Sequence, residues 1–279
     1  MALAPPPDGP VAQGSVKRPG DLAPRVASAV VMMSLGMAAA WFGGWAWALA
    51  GAIVLGLAAR EWCRMAGASG RELWIAVGAA ALSGVLFVVG KGLQPVLAAL
   101  VLLLAVGRAV APRGPVAWMG TLYLAMGGWA LAGIRLDDAD AGRILIFGLF
   151  AVVWATDSAA YGVGRALGGP RLMPVASPNK TWSGFMGGAV AGTAAGALYA
   201  VLTQGSPLHW GAAGFVLSLA AQGGDILESL AKRHFGVKDS SGLIPGHGGL
   251  LDRLDGHFSA ALLLAVGILV WPPLLDGLT

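Results

Sequence analysis

Three acids stand in stretches where a charge is costly. Asp157 lies in WATDSAAYG, and Asp225 and Glu228 lie in QGGDILESL, each inside a long apolar run. An acid at the centre of a membrane span costs about 2.5–3.5 kcal/mol on insertion scales, so such residues mark a pathway or a site. Asp225, Glu228, Ser229 and Lys232 are spaced i, i+3, i+4 and i+7, which places them on one helical face. Asp157 and Tyr161, four apart, share a face in the same way. Two carboxylates followed by a cation suit a hard divalent ion beside an anionic substrate.

The segment that follows, KRHFGVKDSSGLIPGHGGLLDRLDG over 232–256, is the densest polar stretch in the chain. It sets Lys232, Arg233, Lys238 and Arg253 against Asp239, Asp252 and Asp255. Gly246, Gly248 and Gly249 around His247 allow backbone N–H groups to approach phosphate oxygens, as in an anion-binding nest. Asp252 and Asp255, three apart, open the last helix and are expected to face one cation together. Upstream, in RALGGPRLMPVASPNKTWSGF, Ser177, Asn179, Lys180 and Thr181 supply hydroxyls, an amide and a cation. Thr181 is also a ready N-cap for the apolar run that begins there.

The elements that must carry these groups follow from composition. Of 279 residues, 57% are hydrophobic and only 11% charged, and the mean hydropathy is +0.73. A soluble domain is roughly 25% charged, so a water-soluble globule, a disordered chain and a coiled coil are excluded. The 44 glycines have no three-residue period, which excludes collagen. The single cysteine, Cys63, rules out an internal disulfide and a cysteine-based zinc site and is expected to be a packing residue. The net charge of +4 is accounted for by loops rather than by nucleic-acid binding. Residues 1–24 lack the apolar core of a signal peptide and read as a disordered cytoplasmic tail, with Pro5, Pro6 and Pro7 extended.

With about 20 residues per crossing, nine spans are expected. They fall at 25–42, 44–59, 73–90, 94–111, 116–134, 144–164, 184–204, 209–231 and 257–275. Gly43 and Gly44 imply a tight hairpin between the first two, and the second is short enough to be tilted or re-entrant. A cytoplasmic N-terminus puts fifteen of the 18 basic residues inside and leaves only Lys91, Arg135 and Arg143 outside, as the positive-inside rule requires. The C-terminus is then outside. The acids Asp137, Asp138 and Asp140 fall in a solvated outer loop. The fold class is therefore an all-α polytopic integral membrane protein.

Residues 229–255, SLAKRHFGVKDSSGLIPGHGGLLDRLD, carry the pattern S-x-x-K-R-x4-K-D followed by P-x-H-G-G-x-x-D-R-x-D. This resembles the signature of the phosphatidate cytidylyltransferases, or CDP-diacylglycerol synthases. TDSAAYGVG around Asp157 and SPNKTWSG from Ser177 agree with it, so the likeness is close over about 150–258. Glu61 is a candidate family acid in the less similar N-terminal half. The resemblance implies the reaction CTP + phosphatidate → CDP-diacylglycerol + pyrophosphate, dependent on Mg2+, with a second, monovalent cation such as K+ nearby. It also implies a homodimer in a bacterial-type cytoplasmic (inner) membrane, with the active site facing the cytoplasm. The layout it implies is a tail over 1–24 and a transmembrane cytidylyltransferase domain over 25–279, with its catalytic half at about 144–258.

On that resemblance, Asp225, Asp252 and Asp255 are assigned as metal ligands, with Asp157 and Glu228 as further ligands or support. Lys180, Lys232, Arg233, Lys238 and Arg253 are assigned to the triphosphate, the leaving pyrophosphate and the lipid phosphate, with Asp239 in the same motif. His247 and its glycines, and Ser177, Asn179, Thr181 and Ser229, are assigned to phosphate or nucleotide. Ser183 stands where some members carry Glu. His234 and His257 are expected to be helix-end or packing residues, His209 to lie on the outer side, and Trp182 alone is near enough to stack on cytosine. Two other activities compete: a CTP-dependent transferase for another lipid phosphate, and an ion-coupled transporter that uses the intramembrane acids. The absence of a convincing inverted repeat and the crowding of polar residues on one face count against the transporter.

Overall fold

Glycine, proline and short polar turns cut the apolar chain into helices long enough to satisfy nearly all of their own backbone, which a bilayer requires. The computed structural model describes residues 22–89, 94–135, 139–244 and 248–279. The helices are α1 (Leu22–Phe42), α2 (Gly44–Met65), α3 (Gly70–Val89), α4 (Gln94–Val110), α5 (Pro115–Gly133), α6 (Ala139–Leu167), α7 (Trp182–Thr203), α8 (Pro207–His234), α9 (Leu251–Val270) and α10 (Pro273–Leu278). A two-stranded antiparallel hairpin, β1 (Arg171–Met173) and β2 (Ser177–Thr181), joins α6 to α7 and pairs Arg171 with Thr181. The fold is that of an all-α membrane protein. Among the described residues, Gly44–Met65, Asp140–Leu167, Trp182–Thr203 and Leu251–Val270 are both long and apolar enough to cross a bilayer.

Each expected span falls on a helix, with differences at the ends. The second is an unbroken helix of 22 residues that runs to Met65, past the expected stop at 59. The last begins at Leu251 rather than 257 and ends at Val270, because Pro272 and Pro273 cannot continue it; α10 follows as a separate turn. The hairpin has no counterpart among the elements expected from the sequence. Lys91, Asp137, Asp138 and the tail with Pro5, Pro6 and Pro7 lie outside the described residues.

Helices α2, α3, α4 and α5 pack as one group and α6, α7, α8 and α9 as another, joined where α5 and α2 meet α9 and where α1 meets α6. The second group is tight because α7 presents Gly184, Gly188, Gly192 and Gly196 at four-residue spacing, all buried. A Cβ on Gly188 would come within 3.1 Å of the Thr156 carbonyl, and one on Gly192 within 2.6 Å of Ser218 Cβ and Thr156 Oγ1. Small residues along one stripe thus let α6 and α8 both approach the α7 backbone.

Tryptophans and arginines tie the first group and α1 together. Trp62 Nε1 donates to the Ala117 carbonyl and Trp47 Nε1 to the Ala132 carbonyl, each at 3.0 Å, tying α2 to α5. Arg135 is buried and donates to the carbonyls of Ala40 and Trp41, satisfying the C-terminal end of α1. Arg113 bridges the turns after α2 and α4 by donating to the Gly67 carbonyl at 2.8 Å. Cys63 is buried in the core, as expected of a packing residue.

Candidate active site

Helix α8 places Asp225, Glu228 and Lys232 on one face, as their spacing predicts, and α9 delivers Asp255 opposite them. Oxygens of Asp225, Glu228 and Asp255 all lie within 4.8 Å of one another. Asp255 is fixed from behind: its Oδ1 accepts the Gly256 N–H at 2.7 Å, and Tyr123 of α5 donates to its backbone carbonyl. Gly224, one residue before Asp225, permits this approach; a Cβ there would meet the Asp255 carbonyl at 2.7 Å. Glu228 Oε2 pairs with Lys232 Nζ at 2.6 Å, whereas its Oε1 is buried with no hydrogen-bond partner among the described residues. An orphaned carboxylate oxygen beside two further carboxylates fits a hard, oxygen-seeking divalent cation.

Asp252 has a different environment from the one expected. Its Oδ1 accepts from Lys232 Nζ at 2.6 Å, and its Oδ2 accepts from Ser240 N–H at 3.0 Å, Ser240 Oγ at 2.9 Å and Gly249 N–H at 2.8 Å. Every oxygen is taken, and the residue lies outside the cluster of three. Lys232 sits between Glu228 and Asp252 with its side chain 11% exposed. Burial works against its charge, but the two carboxylates outweigh it and hold the ammonium pKa above the usual lysine range. The Gly249 N–H, expected to face phosphate, is committed to Asp252. Gly248 has φ +81° and accepts from Ile244 N–H at 2.8 Å, which shapes the turn. Gly246 and His247 lie outside the described residues.

The hairpin brings the second cation. Lys180 on β2 forms an ion pair with Asp225 Oδ2. Thr181 caps α7 as expected, accepting from Gly184 N–H at 3.1 Å. Ser183 bonds both Thr181 Oγ1 and the Gly168 carbonyl, so it anchors the hairpin to the end of α6. Ser229 Oγ donates to Asp225 Oδ1 at 3.5 Å.

The charged residues among these, with Thr181, line a cavity of about 1390 Å³, whereas Ser229, Gly248 and Gly249 do not. Its polar part holds Asp157, Asn179, Lys180, Thr181, Asp225, Glu228, Lys232, Asp239, Asp252, Arg253 and Asp255; its apolar part runs past Met32, Met33, Ile53, Val54, Leu131 and Trp154. Asp157 and Arg253 are open to it. Ser177, Arg233 and Lys238 do not line the cavity; Arg233 Nη1 instead donates to the Val237 carbonyl at 3.0 Å and closes the turn after α8. His257 is buried and packs edge-on against Phe150 and Trp154, whereas His234 stands exposed at the end of α8 beside Phe235. Trp182 is half exposed and packs against Phe185.

Two contributors had little or no sequence signal. Tyr123 is one polar group in an otherwise apolar helix. Glu61 is fully buried near the end of α2 and accepts from the backbone and side chains around the start of α9. The sequence marks it only as a candidate family acid, directly beside Trp62 and Cys63 at the margin of an apolar run, and says nothing of its contact with α9.

The cytidylyltransferase family matches residues 23–271. A phosphatidate cytidylyltransferase of Brucella suis is 41% identical over 253 residues, covering 88% of this chain and 92% of the relative. Proteins of the same name from Bacillus subtilis and Mycobacterium leprae are 44% and 46% identical over 117 and 123 residues, covering 41% and 44% of this chain and 43% and 39% of the relatives. A match over nearly the whole chain, together with an acid cluster and cations around one cavity, places it: the chain belongs to the phosphatidate cytidylyltransferase family.

Proposed function

We propose that CTP and phosphatidate meet in this cavity and that the cytidylyl group passes directly between them. Family membership makes the chain a nucleotidyltransferase of phospholipid synthesis that converts CTP and phosphatidate to CDP-diacylglycerol and pyrophosphate. One observation carries the placement of the reaction: a single cavity joins the acid cluster and Lys180 to walls of methionine, leucine and valine. Such a chamber suits an amphiphile whose phosphate must meet a water-borne nucleotide.

A phosphate monoester loses its second proton near pH 6, so the lipid phosphate is already a dianion at neutral pH. No strong general base is needed. Its oxygen attacks the α-phosphorus of CTP, the bond from that phosphorus to the bridging β-phosphate oxygen breaks, and pyrophosphate leaves with the electron pair. The barrier lies in bringing two anions together in line, so catalysis is charge neutralisation and positioning. Asp225, Glu228 and Asp255 would hold a divalent cation, Mg2+ on the family resemblance, which supplies neutralising charge; Asp157 is left for a second, monovalent ion such as K+, or for support. Lys180 and Arg253 face the triphosphate and lipid phosphate. Lys232, held between two carboxylates, orients Glu228 and Asp252. Arg233 and Lys238 remain for the outer phosphates or for the membrane surface.

The nine-span topology, with the N-terminus and the site cytoplasmic and the C-terminus outside, is supported by the distribution of helix ends. The connections α2–α3, α4–α5, α6–α7 and α8–α9, counted with their flanking helix ends, carry most of the basic residues, and Arg113–Gly67 and Glu61–Ser241 contacts link them. The opposite turns hold Gly43 and Arg135. A cytoplasmic-type bacterial membrane and a homodimer follow from the family resemblance. The test is transfer of label from α-phosphate-labelled CTP into the lipid phase by purified protein. Label that moves only with phosphatidate and divalent metal present supports the reading. No transfer from a folded sample, with transfer to another lipid phosphate, replaces phosphatidate as the acceptor.

A further inference from the structure

Glu61 belongs to α2, 190 residues before the start of α9, and is 0% exposed. Its two oxygens have four donors within hydrogen-bond distance, one of them the Ser240 hydroxyl whose single proton is shared with Asp252. Oε1 takes Ser241 Oγ at 2.6 Å and Leu250 N–H at 2.9 Å; Oε2 takes Leu251 N–H at 2.7 Å and Ser240 Oγ at 3.1 Å. All four donors are neutral, so the charge is balanced by hydroxyls and by the positive end of the α9 dipole. Leu250 has no side-chain cap of its own. The free N–H groups that begin a helix are here satisfied by a carboxylate from another helix, with Asp252 taking Gly249 N–H beside it.

What α9 carries in its first turns gives this contact a consequence. Asp252 fixes Lys232, and Asp255 completes the carboxylate cluster. Ser240 links the two acids, since its Oγ lies within reach of both Glu61 and Asp252. We infer that Glu61 is a positioning residue for cytidylyl transfer: from the N-terminal helix group it sets the start of α9, and thereby places Asp252 against Lys232 and Asp255 against Asp225 and Glu228. The same contact fills the anion seat at the α9 N-terminus with the protein's own carboxylates, which leaves the phosphates to Lys180 and Arg253.

The activity arm of the test rests on the function proposed above; the exchange arm does not. Glu61→Gln keeps one accepting oxygen, Glu61→Ala keeps none, and Ser241→Ala removes one donor. Displacement of a catalytic group by about 1 Å costs about 10²-fold in rate. Glu61→Ala is therefore expected to lose about that much in kcat, Glu61→Gln and Ser241→Ala progressively less, with KM for CTP little changed and the metal concentration for half-maximal rate raised. In hydrogen exchange, the amides of Leu250 and Leu251 should open faster while those of α6 and α7 do not. A merely structural Glu61 would lower the melting temperature but leave kcat per folded molecule, metal half-saturation and the local exchange at wild-type values, and that result overturns the inference. Where Glu61→Ala does not fold, wild-type kcat and exchange in Glu61→Gln and Ser241→Ala overturn it equally. An inactive wild type would refute the proposed reaction instead, with the exchange result still deciding the positioning role.

Discussion

Two groups of acids, one facing into the cavity and one gathered at the start of α9, differ in how their oxygens are satisfied. In Asp252 and Glu61 each oxygen has a donor: lysine, serine hydroxyls or N–H groups at the start of α9. In Asp225, Glu228 and Asp255 three carboxylates face one another; Lys180 and Ser229 reach Asp225 and Gly256 N–H reaches Asp255, but Glu228 Oε1 is buried without a partner among the described residues. Buried polar groups left unpaired are expensive, so an arrangement that keeps one is held by something other than its own stability. The fully satisfied pair builds the site, and the cluster that keeps an orphaned oxygen is left for a ligand.

Chelation is the broadest way to break this contrast. Excess EDTA should reduce transfer to background, and readdition of Mg2+ should restore it; activity that persists in chelator would remove the metal from that cluster. Substitution within the cluster comes next. Asp255→Asn and Asp225→Asn should each lower kcat by at least about 10²–10³-fold, the range for losing one preorganised electrostatic contact. Their thermal stability should hold or rise, because like charges within a cluster repel. Asp252→Asn should do the reverse in kind: a clear fall in melting temperature, because breaking a buried pair costs about 3–5 kcal/mol when a charge is left uncompensated. Here Glu228 still pairs with Lys232, so the loss should fall at or below the low end of that range. If Asp252→Asn proved stable but inactive and Asp255→Asn unstable, the two roles would be exchanged.

Smaller effects sharpen the contrast around the hairpin. Lys180→Ala removes the cation beside Asp225 and should cost about 10–100-fold in kcat/KM, as expected for a charge-assisted contact of about 1.5–3 kcal/mol. Thr181→Ala removes only the cap of α7 and should cost about 1 kcal/mol in stability. Its activity per folded molecule should stay close to wild type, as measured by thermal unfolding and the transfer assay together.

How much was legible without the fold depended on the range of each interaction. Helix α8 announced itself: Asp225, Glu228 and Lys232 are separated by single helical turns, and a helix puts such residues on one face wherever it lies. Thr181 as a cap and Cys63 as a core residue were equally local inferences. The pairing of Asp252 with Asp255 was local too, but it did not predict their environments. A three-residue spacing leaves open which of two acids meets Lys232 and which meets Asp225, since that depends on how α9 is turned against α8. Gly249 looked available to phosphate only because its acceptor, Asp252, needed the folded turn to be recognised.

Sequence alone therefore determined the class of the protein, the positions of its helices to within a turn at most ends, the motif that places it in its family and the stock of charged groups near the reaction. Those properties depend on composition and on spacings within single elements. Tertiary structure decided which acids are fully satisfied and which keeps an orphaned oxygen, that Lys180 reaches Asp225 from a hairpin, and that Glu61 of α2 caps α9. Each of those is a contact between residues far apart in the chain, set by the close packing that the glycines of α7 and the tryptophans of α2 allow. No periodicity within one helix records it.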